Sequence, residues 1–163
     1  MKNLLAAVDF SQSTDMVLSE SAQLATALDA KLWILHVTSD ESQALAFEAT
    51  QFTGYAPEAV AMPGDVQLAR DINAEEIKRE HSELQGMSSR LRKDGVNAQA
   101  LLLKGDPAKL IIDKAGELRA EMIILGSHGH GLLHKALLGS VSESIIRHAG
   151  SNILIVPAVK KQD

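Results

Sequence analysis

The chain has 163 residues, of which 45% are apolar and 23% charged, and its formal net charge is −5. This length and composition are typical of one globular domain with its own core, and the lack of cysteine excludes disulfides, thiolate zinc sites and thiol nucleophiles. The acidic balance argues against nucleic acid binding, and no apolar run approaches the roughly 20 residues of a membrane helix, so we expect a cytoplasmic protein.

Five short apolar segments predict buried strands, because a strand that is covered on both faces has an almost continuous run of apolar residues. In chain order they are Leu4–Val8, Leu32–Val37, Ala98–Leu103, Met122–Leu125 and Ile153–Val156. A helical pattern lies between each strand and the next. The first helix has an apolar face from Val17 to Leu28, with Ser11 or Ser13 as its expected cap.

The other three helices have recognisable ends. The second has an apolar face from Ile77 to Leu91 and should end at Asp94–Gly95, and the third opens at Asp106–Pro107 because proline suits the first helical position. The fourth should begin at Gly139–Ser140 and stop at Gly150. Ser140 and Glu143 have the spacing of a capping box.

Strict alternation of strands and helices predicts an α/β fold with a doubly wound, Rossmann-like parallel sheet of five strands and helices on both faces. We expect the strand order 3-2-1-4-5, a single domain over residues 1–158 and a flexible tail at 159–163. An irregular insertion at about 38–72 interrupts the pattern and could include a short helix at Ser42–Ala49. It is either a variable segment with its own apolar cluster or a lid or partner-binding flap.

A glycine-rich segment follows the fourth strand and leads into the last helix. It reads Gly126-Ser127-His128-Gly129-His130-Gly131, and Gly139-Ser140-Val141-Ser142 follows. Such a turn exposes backbone N–H groups, and the positive end of the last helix adds to their attraction for anions. In the expected strand order, Asp9 stands opposite this segment at the switch point of the sheet, where α/β proteins bind ligands. The pattern therefore favours a polyphosphate site.

Two common phosphate motifs are absent from the sequence. There is no GxxxxGK[ST], and a dinucleotide fingerprint fails because His134 stands where the third glycine would be. The spacing G-x2-G-x9-G-[S/T], formed by Gly126, Gly129, Gly139 and Ser140, resembles instead the ATP-binding signature of the universal stress protein family. The segments LLAAVDFSQST, LWILHV and LLGSVSESIIRHAGSNILIVP are also similar to that family, so the resemblance covers nearly the whole chain.

The resemblance implies a set of roles. Asp9 and Phe10 would line the nucleoside side, and Val37 would lie beside the adenine. The ribose and phosphates would be bordered by Leu125, Gly126, Ser127, His128 and Gly129, and the phosphates held by Gly139, Ser140, Val141 and Ser142. The implied cofactor is ATP, with a magnesium or manganese ion. A homodimer through the last strand (Ile153, Leu154, Ile155 and Val156) is also implied.

Structural interpretations compete with several of these roles. The glycines could only form turns, and Asp9 could cap the first helix rather than face a ligand. His128, His130 and His134 could bind zinc, but contact with phosphate or solvent is the favoured interpretation. Lys135 could reach a γ-phosphate or lie exposed on a helix. We expect His36, inside an apolar run, to be a satisfied core or strand-end residue.

Three functional hypotheses follow. The first is a nucleotide-dependent stress or signalling regulator with at most slow ATP hydrolysis, since Asp9 is the best general base in view and the loop has no arginine finger. The second is a phosphotransferase or ATPase with real turnover. The third is an interaction module that no longer needs nucleotide and binds a protein partner through residues 38–72.

Overall fold

The computed structural model describes residues 2–38, 63–127 and 139–157, with the backbone alone described over 63–73. The elements alternate along the chain as the sequence predicts. They are β1 (Lys2–Ala7), α1 (Thr14–Ala27), β2 (Ala30–Thr38), α2 (Pro63–Lys93), β3 (Ala98–Lys104), α3 (Pro107–Glu117), β4 (Met122–Gly126), α4 (Ser140–His148) and β5 (Asn152–Val156).

The five strands form one sheet in the order β3-β2-β1-β4-β5, and each adjacent pair is parallel. In the centre, Leu4 lies opposite Leu32 on one side and Met122 on the other. The predicted fold class and strand order are therefore confirmed. The chain places β2 and β3 on one side of β1 and then crosses back to place β4 and β5 on the other side. The strand order therefore reverses between β1 and β4, and this is the switch point of the sheet.

Helices cover both faces of the sheet, and successive strand residues point to opposite faces. On one face, Leu4 and Ile34 pack with residues of α1 and α2, including Val17 and Leu84. On the other face, Leu5 and Ile123 pack with Ile111 of α3 and Ile145 of α4. These apolar side chains are at most 5% exposed, so the predicted strands have the two-sided burial that their composition indicates.

The starts of α1, α3 and α4 agree with the sequence, but the capping box expected at α4 is not formed. Ser13 occupies the N-cap position of α1, and Asp106 caps α3 with Pro107 at its first position. At α4 the N-cap is Gly139, in an extended conformation (φ −60°, ψ 153°), so the predicted Ser140–Glu143 capping box is wrong. The box requires Ser140 at the N-cap, but Ser140 is already helical.

Regular elements extend into the predicted insertion at about 38–72 from both sides. Thr38 belongs to β2, where it pairs with Lys104, and α2 begins at Pro63, nine residues before the expected end. Proline at the first helical position suits this start, because its fixed φ matches the helix and its missing N–H costs nothing there. The short helix predicted at Ser42–Ala49, the rest of the insertion and the 159–163 tail lie outside the described residues.

The helices found in the described ranges were also compared with the length and hydropathy that a membrane span requires. None of them combines enough apolar residues with enough length to cross a bilayer.

Candidate functional site

A cavity of about 310 Å³ lies at the carboxyl ends of β1 and β4. Its described lining comes from the ends of β1, β2 and β4 and from the first turns of α1, α3 and α4. All these ends meet at one edge because the strands are parallel and each helix start follows a strand end. The cavity occupies the switch point of the sheet, the usual ligand position in open α/β folds.

The structure brings most of the predicted site residues together around this cavity. Eight of the twelve line it: Asp9, Val37, Leu125, Gly126, Gly139, Ser140, Val141 and Ser142. Phe10 and Ser127 are described but stand outside the lining. His128 and Gly129 lie outside the described residues, as do His130, His134 and Lys135.

The turn between β1 and α1 places Asp9 at the cavity. The Asp9 carboxylate accepts a hydrogen bond from the Ser11 backbone N–H at 3.0 Å, which closes a local turn. Phe10, between them, has a φ of 57°, in the left-handed region that side chains rarely adopt. Since Ser13 is the N-cap, the alternative in which Asp9 caps the first helix is wrong, and its carboxyl group stabilises the preceding turn.

His36 is a buried strand-end residue, as expected, but it also lines the cavity. Its Nδ1 lies 2.8 Å from the carbonyl oxygen of Val8, so this nitrogen carries the proton and donates it. Its Nε2 faces the carboxylate of Glu80 at 3.6 Å, and the Phe10 ring packs on it with the centroids 4.2 Å apart. Phe10 therefore supports the cavity wall from behind His36.

The start of α4 forms the opposite wall. The Ser127 N–H donates to Val156, and the Gly139 N–H donates to Ser127 at 3.3 Å, which joins this wall to β4 and β5. The Ser142 hydroxyl donates to the Gly126 carbonyl at 3.2 Å. The positive end of the α4 dipole therefore faces the cavity, where Gly139 and Ser140 have small side chains, and this arrangement attracts anions.

Several lining residues were not predicted from the sequence. Their common feature is a position at a strand end or in the first turns of the helices: Ala7, Val8, Ser13, Thr14, Val17, Leu35, His36, Pro107, Ile111 and Ile145. Ser13 and Thr14 carry hydroxyl groups and come soon after β1 in the sequence. This position was the signal that could have identified them as lining residues. The apolar members cannot be told from ordinary core residues by sequence pattern.

A metal site built from protein side chains was also considered. Over the described ranges, no group of three or more histidine, cysteine, aspartate or glutamate residues is placed to hold an ion. The zinc interpretation of the three loop histidines falls on residues outside those ranges.

The chain matches the model of the universal stress protein family over residues 1–157. It is 29% identical to universal stress protein YxiE of Bacillus subtilis over 155 residues, with 94% of this chain and 97% of that protein covered. A universal stress protein of Synechocystis is 27% identical over 153 residues, with 94% and 96% covered.

Solved structures share the fold. UspA from Lactobacillus plantarum matches with a TM-score of 0.72 at 19% identity, covering 95% of this chain and 97% of that one. A universal stress protein in complex with cAMP matches at 0.61 and 20% identity, with 96% of each chain covered. The Archaeoglobus fulgidus protein in complex with dAMP matches at 0.59 and 21% identity, covering 95% and 97%.

Proposed function

Because this chain belongs to the universal stress protein family, we propose that it binds ATP in the switch-point cavity and acts as a nucleotide-dependent stress or signalling regulator in the cytoplasm. The observation that carries the proposal is the convergence of Asp9 and Val37 with Gly126 and the start of α4 on one cavity. These residues are far apart in sequence, and the parallel sheet brings them to the edge where open α/β folds bind their ligands.

The chemistry of the two walls suits a nucleotide. Val37, Leu35 and Ile111 give an apolar region that could cover a base, whereas Ser140 offers a hydroxyl group at the positive end of α4. Two relatives of the same fold are complexes with cAMP and with dAMP, both adenine nucleotides, which supports the same ligand class here.

A magnesium or manganese ion would accompany the phosphates. Such hard cations prefer oxygen ligands, and the lining offers them as the Asp9 carboxylate and the Ser140 hydroxyl. When bound, the ion would neutralise phosphate charge. The protein residues would then bind and orient the nucleotide.

The cavity supports binding more than rapid turnover. Among the described lining residues, Asp9 is the single carboxylate, and none is lysine or arginine. Efficient phosphoryl transfer usually combines a positioned base with cationic side chains on the transferred group. We therefore propose at most slow hydrolysis, with kcat far below about 1 per second.

We also propose a homodimer through β5. This strand lies at the edge of the sheet, and Ile153, Leu154 and Ile155 are only partly buried. An apolar edge strand of this kind is a surface that proteins cover by pairing. The predicted protein partner of residues 38–72 remains a separate proposal.

Calorimetry of the purified protein with ATP, ADP and AMP, with and without magnesium, tests the proposal. Gly139→Glu should abolish measurable ATP binding, because it places a carboxylate at the helix start that the phosphates would occupy. Its backbone conformation is available to any residue, so the thermal midpoint without ligand should stay close to that of the wild type.

Gly86→Glu is the matched control. It adds the same charge in the middle of α2, where an added Cβ meets no atom within 4 Å, and Gly86 does not line the cavity. It should bind ATP like the wild type. A wild type without affinity for any adenine nucleotide, or a Gly139→Glu variant with full affinity, would refute the proposed function.

A further inference from the structure

Thr14 is the first residue of α1 and lines the switch-point cavity. Its side chain is almost completely buried, with 4% of the residue exposed. Its backbone N–H donates to the Ser11 carbonyl at 3.1 Å, so the turn and the helix fix its position. A polar side chain is therefore held rigidly at the wall opposite α4.

The hydroxyl oxygen of Thr14 is buried and has no hydrogen-bond partner in the part of the chain that the structure describes. Neighbouring hydroxyls behave differently. Ser21 and Thr26 donate to the carbonyl four residues earlier, at 2.6 and 2.9 Å, and Ser11 and Ser13 bond to each other at 2.8 Å. For Thr14 the corresponding residue is Phe10, which precedes the helix and has a positive φ, so the usual acceptor is lost.

A buried hydroxyl without a partner destabilises a folded protein, whereas valine has nearly the same shape and no such cost. Natural proteins rarely leave such groups unsatisfied, and those that remain often mark functional sites. The cavity that Thr14 lines provides space for a ligand atom, and rotation of the Thr14 side chain about χ1 would turn the buried hydroxyl towards that atom.

We propose that the Thr14 hydroxyl binds the nucleotide directly, by donating a hydrogen bond to an oxygen atom of its ribose or phosphate. This inference rests on the proposed function and adds a ligand-binding residue at the start of α1 to those at the start of α4. The positive end of the α1 dipole favours an oxygen acceptor at this place. The ligand would then be held between two helix starts.

The test compares Thr14→Val with Thr14→Ser and with Thr26→Val, by calorimetry with ATP and by thermal unfolding without ligand. Thr14→Val should weaken ATP binding about 3- to 10-fold, the loss expected for one hydrogen bond. Its thermal midpoint should be unchanged or about 2–4 °C higher, because an unsatisfied buried group is removed. Thr14→Ser keeps the hydroxyl and should keep most of the affinity.

Thr26→Val is the matched control on the same helix. It removes an exposed hydroxyl that already has a partner in Ala22 and does not line the cavity. It should leave ATP affinity unchanged. If Thr14→Val does not fold, Thr14→Ala removes the same hydroxyl and takes its place in the comparison.

Adenosine, AMP and ATP distinguish the two oxygen sources, with adenosine measured by competition against a fluorescent ATP analogue. An equal loss with all three ligands assigns the contact to the ribose. A loss that adenosine does not show, with ATP alone or with both AMP and ATP, assigns it to the phosphates. Either result supports the inference.

Wild-type affinity in Thr14→Val for all three ligands would overturn the inference and leave the proposed function intact. A fall in affinity that Thr14→Ser shares in full would overturn it as well, since the hydroxyl would then not be the cause. If the wild type itself binds no adenine nucleotide, the proposed function fails first. The two failures are therefore distinguishable.

Discussion

The starts of three helices meet at the carboxyl edge of the sheet, and they differ in how their first N–H groups are satisfied. At α3, the Asp106 carboxylate accepts a hydrogen bond from the Lys109 N–H at 2.7 Å, and Pro107 has no N–H to satisfy. At α1 and α4, no side-chain cap bond is made within the described ranges, and the N-cap residues are Ser13 and Gly139. The start of α3 is therefore closed by a side chain, whereas the starts of α1 and α4 are open in the sense that no side chain caps them.

One edge of the sheet can therefore contribute both to the stability of the fold and to ligand binding. A capped helix start uses the protein's own carboxylate where an external anion could otherwise bind. An uncapped start leaves donors and positive potential for a ligand at some cost in stability. The two open starts line the cavity with several residues each, whereas Pro107 and Ile111 are the contributions of α3. We therefore expect substitutions at the start of α3 to lower the stability of the fold, and substitutions at the starts of α1 and α4 to lower the affinity for the ligand.

The largest expected effect comes from truncating Ile145, the side chain that packs α4 against the sheet. Ile145 is fully buried against the sheet and lines the cavity. Ile145→Ala should lower the free energy of unfolding by about 2–5 kcal/mol, through lost burial and the void that remains. It should also weaken ATP binding, because α4 loses the contact that holds its open start in place. Chemical denaturation and calorimetry measure the two effects.

Ile146→Ala is the neighbouring control. Ile146 is 42% exposed, so the same substitution removes little buried surface and should change stability by less than about 0.5 kcal/mol. Equal losses in the two variants would show that α4 is not anchored by Ile145.

The second-largest expected effect comes from removing the side chain that caps the start of α3. Asp106→Ala should destabilise the protein by about 1 kcal/mol, because the Lys109 N–H loses its side-chain acceptor. ATP affinity should remain at the wild-type value, since Asp106 does not line the cavity. Asp106→Asn keeps an oxygen acceptor and should retain most of the stability. A large fall in affinity for Asp106→Ala would contradict the division between capped and open starts.

The smallest effect concerns the exposed pair that follows the cap on α3. The hydrogen bond from Lys109 to Asp113 raises the pKa of Lys109 above its usual value. A raised pKa means that the pair stabilises the fold below the unfolded pKa of about 10.4 and that this contribution is lost at higher pH. Both side chains are at least half exposed, so Lys109→Ala should shift the thermal midpoint by less than about 2 °C at pH 7. A larger shift that persists in high salt would contradict this expectation.

Much of the molecule could be predicted because the relevant signals are local. Continuous apolar runs predicted every strand within about two residues at each end, and Asp106–Pro107 predicted the start and cap of α3. The glycine spacing led to Gly126 and Gly139, and the structure places both on the cavity. The Ser140 cap was mispredicted because glycine is also a favourable N-cap residue, and the structure places Gly139 in that position with an extended backbone.

The sequence by itself determined the order of strands and helices, the two-sided burial of the sheet and the family, because hydrophobic period and motif spacing are properties of neighbouring residues. Only the tertiary structure decided that His36 and Thr14 belong to the wall of the cavity, and that the buried Thr14 hydroxyl has no hydrogen-bond partner among the residues that the structure describes. The reason is physical: burial and hydrogen-bond satisfaction depend on which chain segments meet at the sheet edge, and these segments run from Ala7 to Ile145 in this chain.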